Sequence, residues 1–379
     1  MTANQPLPRR SLGRTGLRLS VLGLGGFHQV ETLQDDLNAI VGGYLAAGGN
    51  YIETARSYGS GASEVKLGRA LAGVPRDRYV LATKSSERTE EGAWRQLNES
   101  LAALGTDFVD LFFLHNLGDE AALAAVCAPQ GAMRACERAL DQGLIRQVAM
   151  SSHWPAMYLA ALARLPLGAA LIWGNYLDFC HYPEIPREIL PALRERGVGI
   201  LFMKPLADGY LYRSPERAFR FALAQPVDCV VAGFNSLDML AVDVACCRDE
   251  TAATPAEIGQ ILAEAPELGD YVCRQCAACA VLDGTDGEAL KRIFELEGKV
   301  DRQMDDRRQT TAAQYALRER LKGWFGAAGR ARAAYAELAI KAPELATRPS
   351  RPCRYGLDIA RKLAIADAKL RGDEALRLL

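Results

Sequence analysis

The chain has 379 residues, of which 49% are hydrophobic and 24% charged, as is typical of a globular rather than a disordered protein. Its 45 basic and 46 acidic residues give a formal net charge of −1, which argues against nucleic acid or an anionic membrane as a partner. Apolar runs are too short to span a bilayer, and the first ten residues lack the apolar stretch of a secretion signal, so we expect a cytoplasmic protein.

A short hairpin and then a regular succession of strand patterns are predicted along the first two-thirds of the chain. The hairpin covers residues 10–20 and turns at Gly13 to Gly16. Strand-like apolar runs follow, mostly about 30 residues apart, a spacing typical of βαβ units. The predicted strands are Val21–Gly25, Tyr51–Thr54, Tyr79–Thr83, Val109–Leu114, Gln147–Ser151, Leu171–Asn175, Ile200–Met203 and Cys229–Ala232.

Helical patterns lie between these strands. Apolar residues recur at helical intervals in Ser63–Leu71 and Glu91–Leu104, and Pro191–Arg196 ends at a glycine that suits a helix C-terminus. Strand–helix alternation repeated in this way indicates a closed parallel (β/α)8 barrel over residues 1–250. An open doubly wound sheet is the alternative, but Gly23–Gly26 lacks the third glycine of its phosphate-binding turn.

Residues 251–379 have a different character, and we expect a second, mainly helical module there. The pattern of residues in Thr254–Leu268 predicts a helix. Thr254 would begin it, with Pro255 in the first helical position. The pattern from residue 284 to residue 341 is charged and helical. Its candidate buried positions are Phe294, Tyr315, Leu317, Leu321, Trp324 and Phe325.

Polar residues at the predicted strand ends form a candidate catalytic set, because active sites of such barrels lie at the C-terminal ends of the strands. Glu53 and Lys84 end the second and third strands, His115 follows the fourth, and Tyr58 lies in the loop after the second. We expect the Lys84 ammonium to lower the pKa of Tyr58, which makes Tyr58 the candidate proton donor. Glu53 would hold Lys84 charged, and His115 would donate a hydrogen bond to a carbonyl oxygen.

The sequence resembles the aldo-keto reductases over about residues 8–250. This resemblance implies a TIM barrel that transfers hydride between NAD(H) or NADP(H) and a small carbonyl or alcohol substrate. It also places the family's proton-donor tyrosine, lysine and histidine on Tyr58, Lys84 and His115. The segments that carry it are Arg10–Leu17, Gly23–Gly26, Asn50–Gly59, Ser63–Gly68, Ala82–Lys84, Val109–His115, Met203–Leu206 and Ala232–Ser236.

Several positions depart from the family pattern. The family's aspartate is Glu53, and its phosphate-gripping cation falls on Asn235, a neutral amide that is a poor ligand for a phosphate dianion. Its nicotinamide-stacking ring falls on Met203, and its carboxamide-binding glutamine on Leu171. We therefore expect no strong preference for NADPH.

The remaining cofactor contacts are expected from two groups of residues. Ser151, Ser152 and Asn175 would lie near the nicotinamide carboxamide, beside Met203. Phosphate contacts are expected from the charge of Lys204 and from a helix N-terminus, whose backbone N–H groups suit a pyrophosphate. The residues that open this helix include Gly233, Asn235 and Ser236.

The cysteines near residue 275 resemble a ferredoxin ligand set. Cys273, Cys276 and Cys279 have the spacing of a bacterial ferredoxin motif, whose fourth cysteine is replaced here by Asp283. Far downstream, Cys353 begins a segment that resembles the end of a second such motif. In two-cluster ferredoxins the fourth cysteine of each motif ligates the other cluster.

That crossed rule assigns one complete ligand set to this chain. Cys273, Cys276, Cys279 and Cys353 would hold one 4Fe–4S cluster. The second cluster would need Pro343, Ala346, Pro349 and Asp283, which do not form a ligand set. We therefore expect a ferredoxin-like C-terminal module with a single cluster, as in a subgroup of aldo-keto reductases that this chain resembles.

Two alternatives to the cluster stay open at this point. The three clustered cysteines would also suit a zinc ion, with His28 or His181 as the fourth ligand, or they would hold no metal. The other cysteines are expected to be small buried hydrophobic residues. They are Cys127, Cys136, Cys180, Cys229, Cys246 and Cys247.

The leading interpretation is a redox enzyme whose cluster either passes electrons to a partner or braces the C-terminal module. One alternative is a non-catalytic barrel that binds a nucleotide or a partner and senses redox state. Another is an enzyme that uses the same acid–base residues for elimination or epimerisation without net redox change. Nicotinamide-dependent turnover distinguishes the three.

Overall fold

A computed structural model gives the fold of the chain as two compact units, residues 1–258 and 259–379. The predicted boundary at residue 250 lies shortly before this division. The residues that the structure describes are 5–30, 32–207, 211, 214–248, 253–264, 273, 278–281, 284, 287–301, 328–338, 342–353 and 356–372.

The first unit begins with the predicted hairpin, which is confirmed. Strand β1 (Arg9–Ser11) pairs antiparallel with β2 (Arg18–Ser20). The turn contains Gly13, whose φ of 47° lies in the left-handed region that glycine tolerates best. A Cβ on Gly13 would lie 2.4 Å from the carbonyl oxygen of Gly197, so the hairpin packs closely against the N-terminal end of a barrel strand.

Eight parallel strands form a closed barrel, which confirms the predicted (β/α)8 fold. Each strand pairs with its successor in sequence, and the last pairs with the first to complete the ring. Every predicted apolar run overlaps one of these strands. They are β3 (Leu22–Gly25), β4 (Tyr51–Glu53), β5 (Val80–Ser85), β6 (Val109–Leu114), β7 (Ile145–Ser151), β8 (Ala169–Trp173), β9 (Gly199–Met203) and β10 (Cys229–Ala232).

Apolar side chains from alternating strand positions fill the barrel interior, so the barrel is a packed core and not a pore. Leu12 and Leu19 of the hairpin are fully buried in this core and close its N-terminal end. The catalytic candidates at the strand ends therefore lie at the opposite, C-terminal end.

Helices connect the strands and cover the barrel. The predicted helices Ser63–Leu71, Glu91–Leu104 and Pro191–Arg196 are confirmed within a residue or two. The helices of the barrel are α1 (Gln34–Ala46), α2 (Ala62–Leu71), α3 (Glu90–Leu104), α4 (Glu120–Cys127), α5 (Ala132–Asp141), α6 (Ala156–Leu162), α7 (Tyr176–His181), α8 (Leu190–Glu195), α9 (Pro215–Leu223) and α10 (Leu237–Arg248). Helix α11 (Pro255–Glu264) follows in sequence and crosses the division between the two units after residue 258.

Helix α11 begins as the sequence predicts, with Thr254 as its cap. The Glu257 N–H donates to Thr254 Oγ1 over 3.3 Å, and the Thr254 N–H donates to Glu257 Oε2 over 2.8 Å, which is a capping box. The helix ends at Glu264, before the predicted Leu268, which lies outside the described residues. No described helix is long and apolar enough to cross a membrane.

The second unit is mainly helical in its described part. Its helices are Gly287–Asp301, Ala328–Glu337, Ala342–Ala346 and Ile359–Arg371. They enclose a set of buried apolar residues that we call the C-terminal core. This core consists of Val281, Leu290, Ile293, Phe294, Leu296, Ala331, Tyr335, Ala342, Leu345, Leu357, Ile359, Leu363, Ala366 and Leu370.

Phe294 is buried as predicted, at 2% exposure. The other candidates for burial in this region fall outside the described residues. They are Tyr315, Leu317, Leu321, Trp324 and Phe325.

Candidate active site

Lys84 lies at the centre of the polar groups at the C-terminal end of the barrel. Its ammonium donates to Tyr58 Oη over 3.1 Å and to the carbonyl oxygen of Thr54 over 2.8 Å, and it forms an ion pair with Glu53. Lys84 is 1% exposed and Glu53 4%. The strand ends thus bring Tyr58, Lys84 and Glu53 into one hydrogen-bonded group.

The pKa of Tyr58 differs from the sequence-based expectation. Burial raises it, and this effect outweighs the lowering by the Lys84 ammonium, so the net direction is upward. The predicted lowering is therefore wrong in its net direction, although Lys84 acts as expected. Near neutral pH, Tyr58 is a protonated phenol with a cation beside it, which is the form that donates a proton.

Lys84 keeps its charge in spite of its burial. Burial alone lowers the pKa of Lys84, but Glu53 and Tyr58 together more than offset this effect and raise it. Because the ammonium persists, it can stabilise a phenolate on Tyr58 after proton transfer.

His115 completes the group from the loop after β6. Its ring lies edge-to-face against Tyr58, with ring centroids 5.8 Å apart, and its Nδ1 is 3.3 Å from Ser57 Oγ. Burial and the nearby Lys84 hold the pKa of His115 well below its usual range. A neutral imidazole has one N–H, so His115 can donate a single hydrogen bond to a carbonyl oxygen.

Arg88, which is not among the residues predicted from the sequence, supports the backbone that carries His115. Its Nη2 donates to the carbonyl oxygens of His115 and Asn116 over 2.8 and 2.9 Å. Asn116 has a φ of 49°, an unfavourable conformation for a residue with a side chain. A cation shortly after the strand that ends in Ser85 was the one available signal.

Three of the predicted cofactor contacts are buried, and their side chains bond to other loops. The Asn116 N–H donates to Ser151 Oγ over 3.0 Å, and Ser152 Oγ donates to the carbonyl oxygen of Leu117 over 2.6 Å. Asn175 caps α7 and also donates to the carbonyl oxygen of Lys204 over 2.9 Å. These residues hold the loops after β6, β7 and β8 in place.

Met203 and Lys204 lie side by side at the C-terminal end of β9, and both are partly exposed. Lys204 has a φ of 56°, in the left-handed region. Its carbonyl oxygen accepts from Asn175, and this bond helps to hold the strained residue.

The loop after β10 has the features of a ligand-binding loop. A Cβ on Gly233 would lie 1.9 Å from the His28 ring, so a side chain would not fit there. Ser236 caps α10, because its Oγ accepts from the Met239 N–H over 3.2 Å. Asn235 is 0% exposed, and neither polar atom of its amide has a hydrogen-bond partner in the described parts of the chain.

A buried amide without partners costs about 1–3 kcal/mol, which a bound ligand can recover by supplying them. The Asn235 amide lies just before the N-terminus of α10, where backbone N–H groups favour an anion. The loop therefore fits the phosphate-bearing part of a nucleotide cofactor.

The predicted cluster ligands are only partly covered by the structure. Cys273, Cys279 and Cys353 are partly buried and pack against the C-terminal core, whereas Cys276 and Asp283 lie outside the described residues. Among the residues that are described, no three His, Cys, Asp or Glu side chains are placed to hold a metal ion.

The remaining cysteines follow the expectation of burial in part. Cys136, Cys229 and Cys247 are buried, and Cys180 and Cys246 are partly exposed. Cys127 is exposed at the C-terminal end of α4, so the prediction that it is a buried hydrophobic residue is wrong.

The fold and this site define a TIM-barrel enzyme with an acid–base group at the C-terminal end of its barrel. The sequence model of the aldo/keto reductase family matches residues 21–246, more than half of the chain. The chain belongs to the aldo/keto reductase family and is an NAD(P)-dependent oxidoreductase.

Two relatives with known activities have sequences similar to this one. The chain is 30% identical to L-galactose dehydrogenase of Arabidopsis thaliana over 219 residues, which cover 53% of this chain and 66% of that protein. It is 27% identical to D-threo-aldose 1-dehydrogenase of a Pseudomonas species over 276 residues, which cover 64% of this chain and 80% of that protein.

Solved structures show the same fold. An aldo-keto reductase of Bacillus halodurans in its holo form gives a TM-score of 0.57 at 25% identity, covering 68% of this chain and 96% of that one. One of Klebsiella pneumoniae in complex with NADPH gives 0.59 at 19% identity, covering 69% and 96%.

Proposed function

We propose that this enzyme transfers hydride between a nicotinamide cofactor and the carbonyl or alcohol group of a small aldose-like substrate. The observation that carries the proposal is the Tyr58–Lys84 hydrogen bond of 3.1 Å at the open end of the barrel. The similar relatives include two dehydrogenases named for sugars, which supports the substrate class.

When bound, the nicotinamide supplies or accepts the hydride. In the direction of reduction, Tyr58 Oη gives its proton to the carbonyl oxygen, and the Lys84 ammonium stabilises the phenolate that forms. Glu53 keeps Lys84 charged and in place. His115 donates its N–H to the same carbonyl oxygen, where negative charge develops. In oxidation the phenolate form of Tyr58 accepts the alcohol proton.

We assign the cofactor to the rim formed by the loops after β7 to β10. Ser151, Ser152 and Asn175 shape the nicotinamide end together with Met203. The phosphate end falls to Lys204 and to the loop that contains Gly233, Asn235 and Ser236. The unpartnered buried amide of Asn235 supports this assignment.

Steady-state turnover of NAD⁺ and NADP⁺ with a panel of aldoses, and of NADH and NADPH with aldehydes, tests this function. We expect a change in absorbance at the reduced-nicotinamide band that depends on both substrate and cofactor. Consumption of a sugar without any change in nicotinamide would instead support the acid–base enzyme. Cofactor binding without turnover of any panel member would contradict the proposed reaction.

We further propose that the second unit holds one 4Fe–4S cluster on Cys273, Cys276, Cys279 and Cys353. The support is that Cys353 packs against the same C-terminal core as Cys273 and Cys279, although it is far from them in sequence. An antiparallel bridge between Val281 and Ser350 joins the two segments, and the Arg351 N–H donates to the carbonyl oxygen of Ala280 over 3.0 Å. A complete set of four thiolates suits such a cluster.

A bound cluster would supply single-electron chemistry toward a partner, or would brace the unit by tying Cys353 to the other ligands. Metal analysis and electron paramagnetic resonance after anaerobic purification test the assignment. We expect about four irons per chain, and loss of the cluster in Cys353→Ala. Cys127→Ala, at an exposed cysteine, is the matched control and should keep it. Stoichiometric zinc, or an iron content indifferent to Cys353, would contradict the proposal.

A further inference from the structure

The first turn of α2 connects the ends of three neighbouring barrel strands. Ser63 Oγ donates to the carbonyl oxygen of Gly26, just after β3, over 2.7 Å. It also lies 2.8 Å from the hydroxyl of Thr54, just after β4. The next residue, Glu64, reaches the third strand. All the side chains in these contacts are fully buried.

Glu64 is a buried carboxylate, 0% exposed, with two side-chain donors from the neighbourhood of the catalytic pair. Thr83 Oγ1 donates to Glu64 Oε1 over 2.6 Å, and Thr83 directly precedes Lys84 on β5. Arg56 Nη1 donates to Glu64 Oε2 over 3.3 Å, and Arg56 lies two residues before Tyr58. Both halves of the Tyr58–Lys84 pair are thus tied to one carboxylate.

The backbone strengthens this connection. The Arg56 N–H donates to the carbonyl oxygen of Lys84 over 3.1 Å, so the two segments also meet directly. Gly61 has a φ of 94°, and a Cβ there would lie 1.8 Å from Arg56 Nη1. A side chain at Gly61 would displace the guanidinium from its place over the start of α2, and the positive φ itself favours glycine.

The second ion pair of Arg56 has a weaker effect. Arg56 Nε donates to Glu99 Oε2 over 3.0 Å, but the Glu99 side chain is 44% exposed. Solvent screens such a pair, so it adds little to the position of the guanidinium. The contact with the buried carboxylate of Glu64 is the less screened of the two.

We propose that Glu64 is a positioning residue for the proton transfer that accompanies hydride transfer, because it fixes the separation of Lys84 Nζ and Tyr58 Oη through Thr83 and Arg56. This inference rests on the proposed function, in which that separation governs proton transfer. Glu64 contacts neither catalytic atom, so it acts through geometry. A displacement of about 1 Å at a reacting group is enough to cost about 100-fold in rate.

The ionisable groups around the Tyr58 hydroxyl are Lys84, Glu53 and His115. Lys84 is the group among them that lowers the pKa of Tyr58. If the contact between Lys84 and Tyr58 loosens, that lowering weakens and the pKa of Tyr58 rises. A general loosening of the site would admit water and lower the pKa of Tyr58 instead, because burial is the largest cause of its rise.

The test uses Thr83→Val, which removes the hydroxyl donor and keeps the side-chain volume. Thr83→Ser restores the donor, and Arg56→Met loosens the other contact at a side chain that is 26% exposed. Ser100→Ala is the matched control, because Ser100 is 0% exposed and its hydroxyl has no partner among the residues described. Each variant is made in the full chain.

We expect Thr83→Val and Arg56→Met to lower kcat by about 10- to 100-fold with KM within about twofold, and Thr83→Ser and Ser100→Ala to match the parent. Carbon-13 resonances of labelled tyrosines, assigned with Tyr58→Phe, should show a higher pKa of Tyr58 in the first two variants.

An unchanged Tyr58 titration in both Thr83→Val and Arg56→Met would overturn the proposal, even if kcat and the melting temperature fell together. If Thr83→Val does not fold, Arg56→Met decides alone. If the parent shows no nicotinamide-dependent turnover, the proposed function fails. The tyrosine titration still reports whether Glu64 sets the Lys84–Tyr58 contact.

Discussion

Each unit of the molecule contains a buried lysine paired with a buried glutamate. The two pairs differ in the third group that each contacts. In the barrel, Lys84 joins Glu53 and then donates to the Tyr58 hydroxyl. In the second unit, Lys362 lies 2.5 Å from Glu297, and Lys369 approaches the same carboxylate at 3.2 Å. Lys362 is 2% exposed and Glu297 0%. The third group beside the barrel pair is the phenol of Tyr58, which can release a proton. The third group beside the second pair is the ammonium of Lys369.

This difference shows that burial of an ion pair does not by itself indicate catalysis. Both pairs carry the desolvation cost of two buried charges, and that cost gives weak evidence about either stability or function. The third group makes the distinction. Tyr58 lies at the C-terminal end of the barrel, where a substrate can reach a proton donor, whereas Lys369 is held in an ion pair with Glu297.

The largest expected effect is the loss of turnover when the Tyr58 hydroxyl, which only the barrel pair contacts, is removed. Tyr58→Phe should lower turnover by about 10²- to 10⁴-fold, because it removes the proton that the carbonyl oxygen receives. Cofactor affinity, measured by fluorescence titration, should stay within about twofold. Unaltered turnover in this variant would show that the Lys84–Glu53 pair does not support catalysis through Tyr58.

The second prediction compares truncation of the two lysines. Lys362→Met should lower the free energy of unfolding of its unit by up to about 3–5 kcal/mol, because Glu297 stays buried with less compensation. Lys369 remains near that carboxylate, so the loss should lie toward the low end. Chemical denaturation measures it. Equal loss of turnover in Lys362→Met and Lys84→Met at unchanged stability would break the distinction between the pairs.

Another buried acid, Asp243, sharpens the comparison, because its pKa shift has burial as its single cause. Asp243 on α10 is 4% exposed, and burial raises its pKa to about 8. The folded state holds this proton more tightly than the unfolded state does. Stability from Asp243 is therefore fully present below the unfolded pKa and is lost as pH rises from about 4 to about 8.

Denaturation of the parent and Asp243→Asn across that pH range measures this loss. The amide has no proton to lose, so the variant should be more stable than the parent at pH 8 by on the order of a few kcal/mol. The difference should shrink as the pH falls. A difference in stability that stays constant at all pH values would mean that titration of Asp243 is not its cause.

The smallest expected effect concerns the cofactor. Because Asn235 carries no charge toward a 2′-phosphate, the dissociation constants of NADPH and NADH should differ by less than about tenfold. Asn235→Arg should shift the preference toward NADPH if this loop faces the adenosine. Much tighter NADPH binding by the parent would require another cation near that phosphate.

The fold was predictable from the sequence because each barrel strand is a short apolar run between polar or glycine-containing segments. The proximity of the four candidate residues was predictable for the related reason that parallel strands end on one rim. Tyr58, Lys84 and Glu53 therefore meet, although the loop conformation around Tyr58 has no sequence signature.

What could not be predicted depends on partners that are distant in sequence or on burial. The net direction of the Tyr58 pKa follows from desolvation, which exists only in the packed structure. The bonds of Ser151 to Asn116 and of Asn175 to Lys204 join different strand ends. The sequence places Glu64 in a helical pattern, and its contacts with Thr83 and Arg56 exist only in the folded chain.

The pairing of β10 with β3 closes the barrel between residues about 200 positions apart in sequence. Pairing between strands so distant in sequence has a loop-closure entropy cost that their hydrogen bonds must offset. The strand that completes the seam runs directly into Gly233 and the rest of the proposed phosphate loop. A nucleotide that contacts this loop only in the closed ring would therefore shift the equilibrium away from opening of the β10–β3 seam.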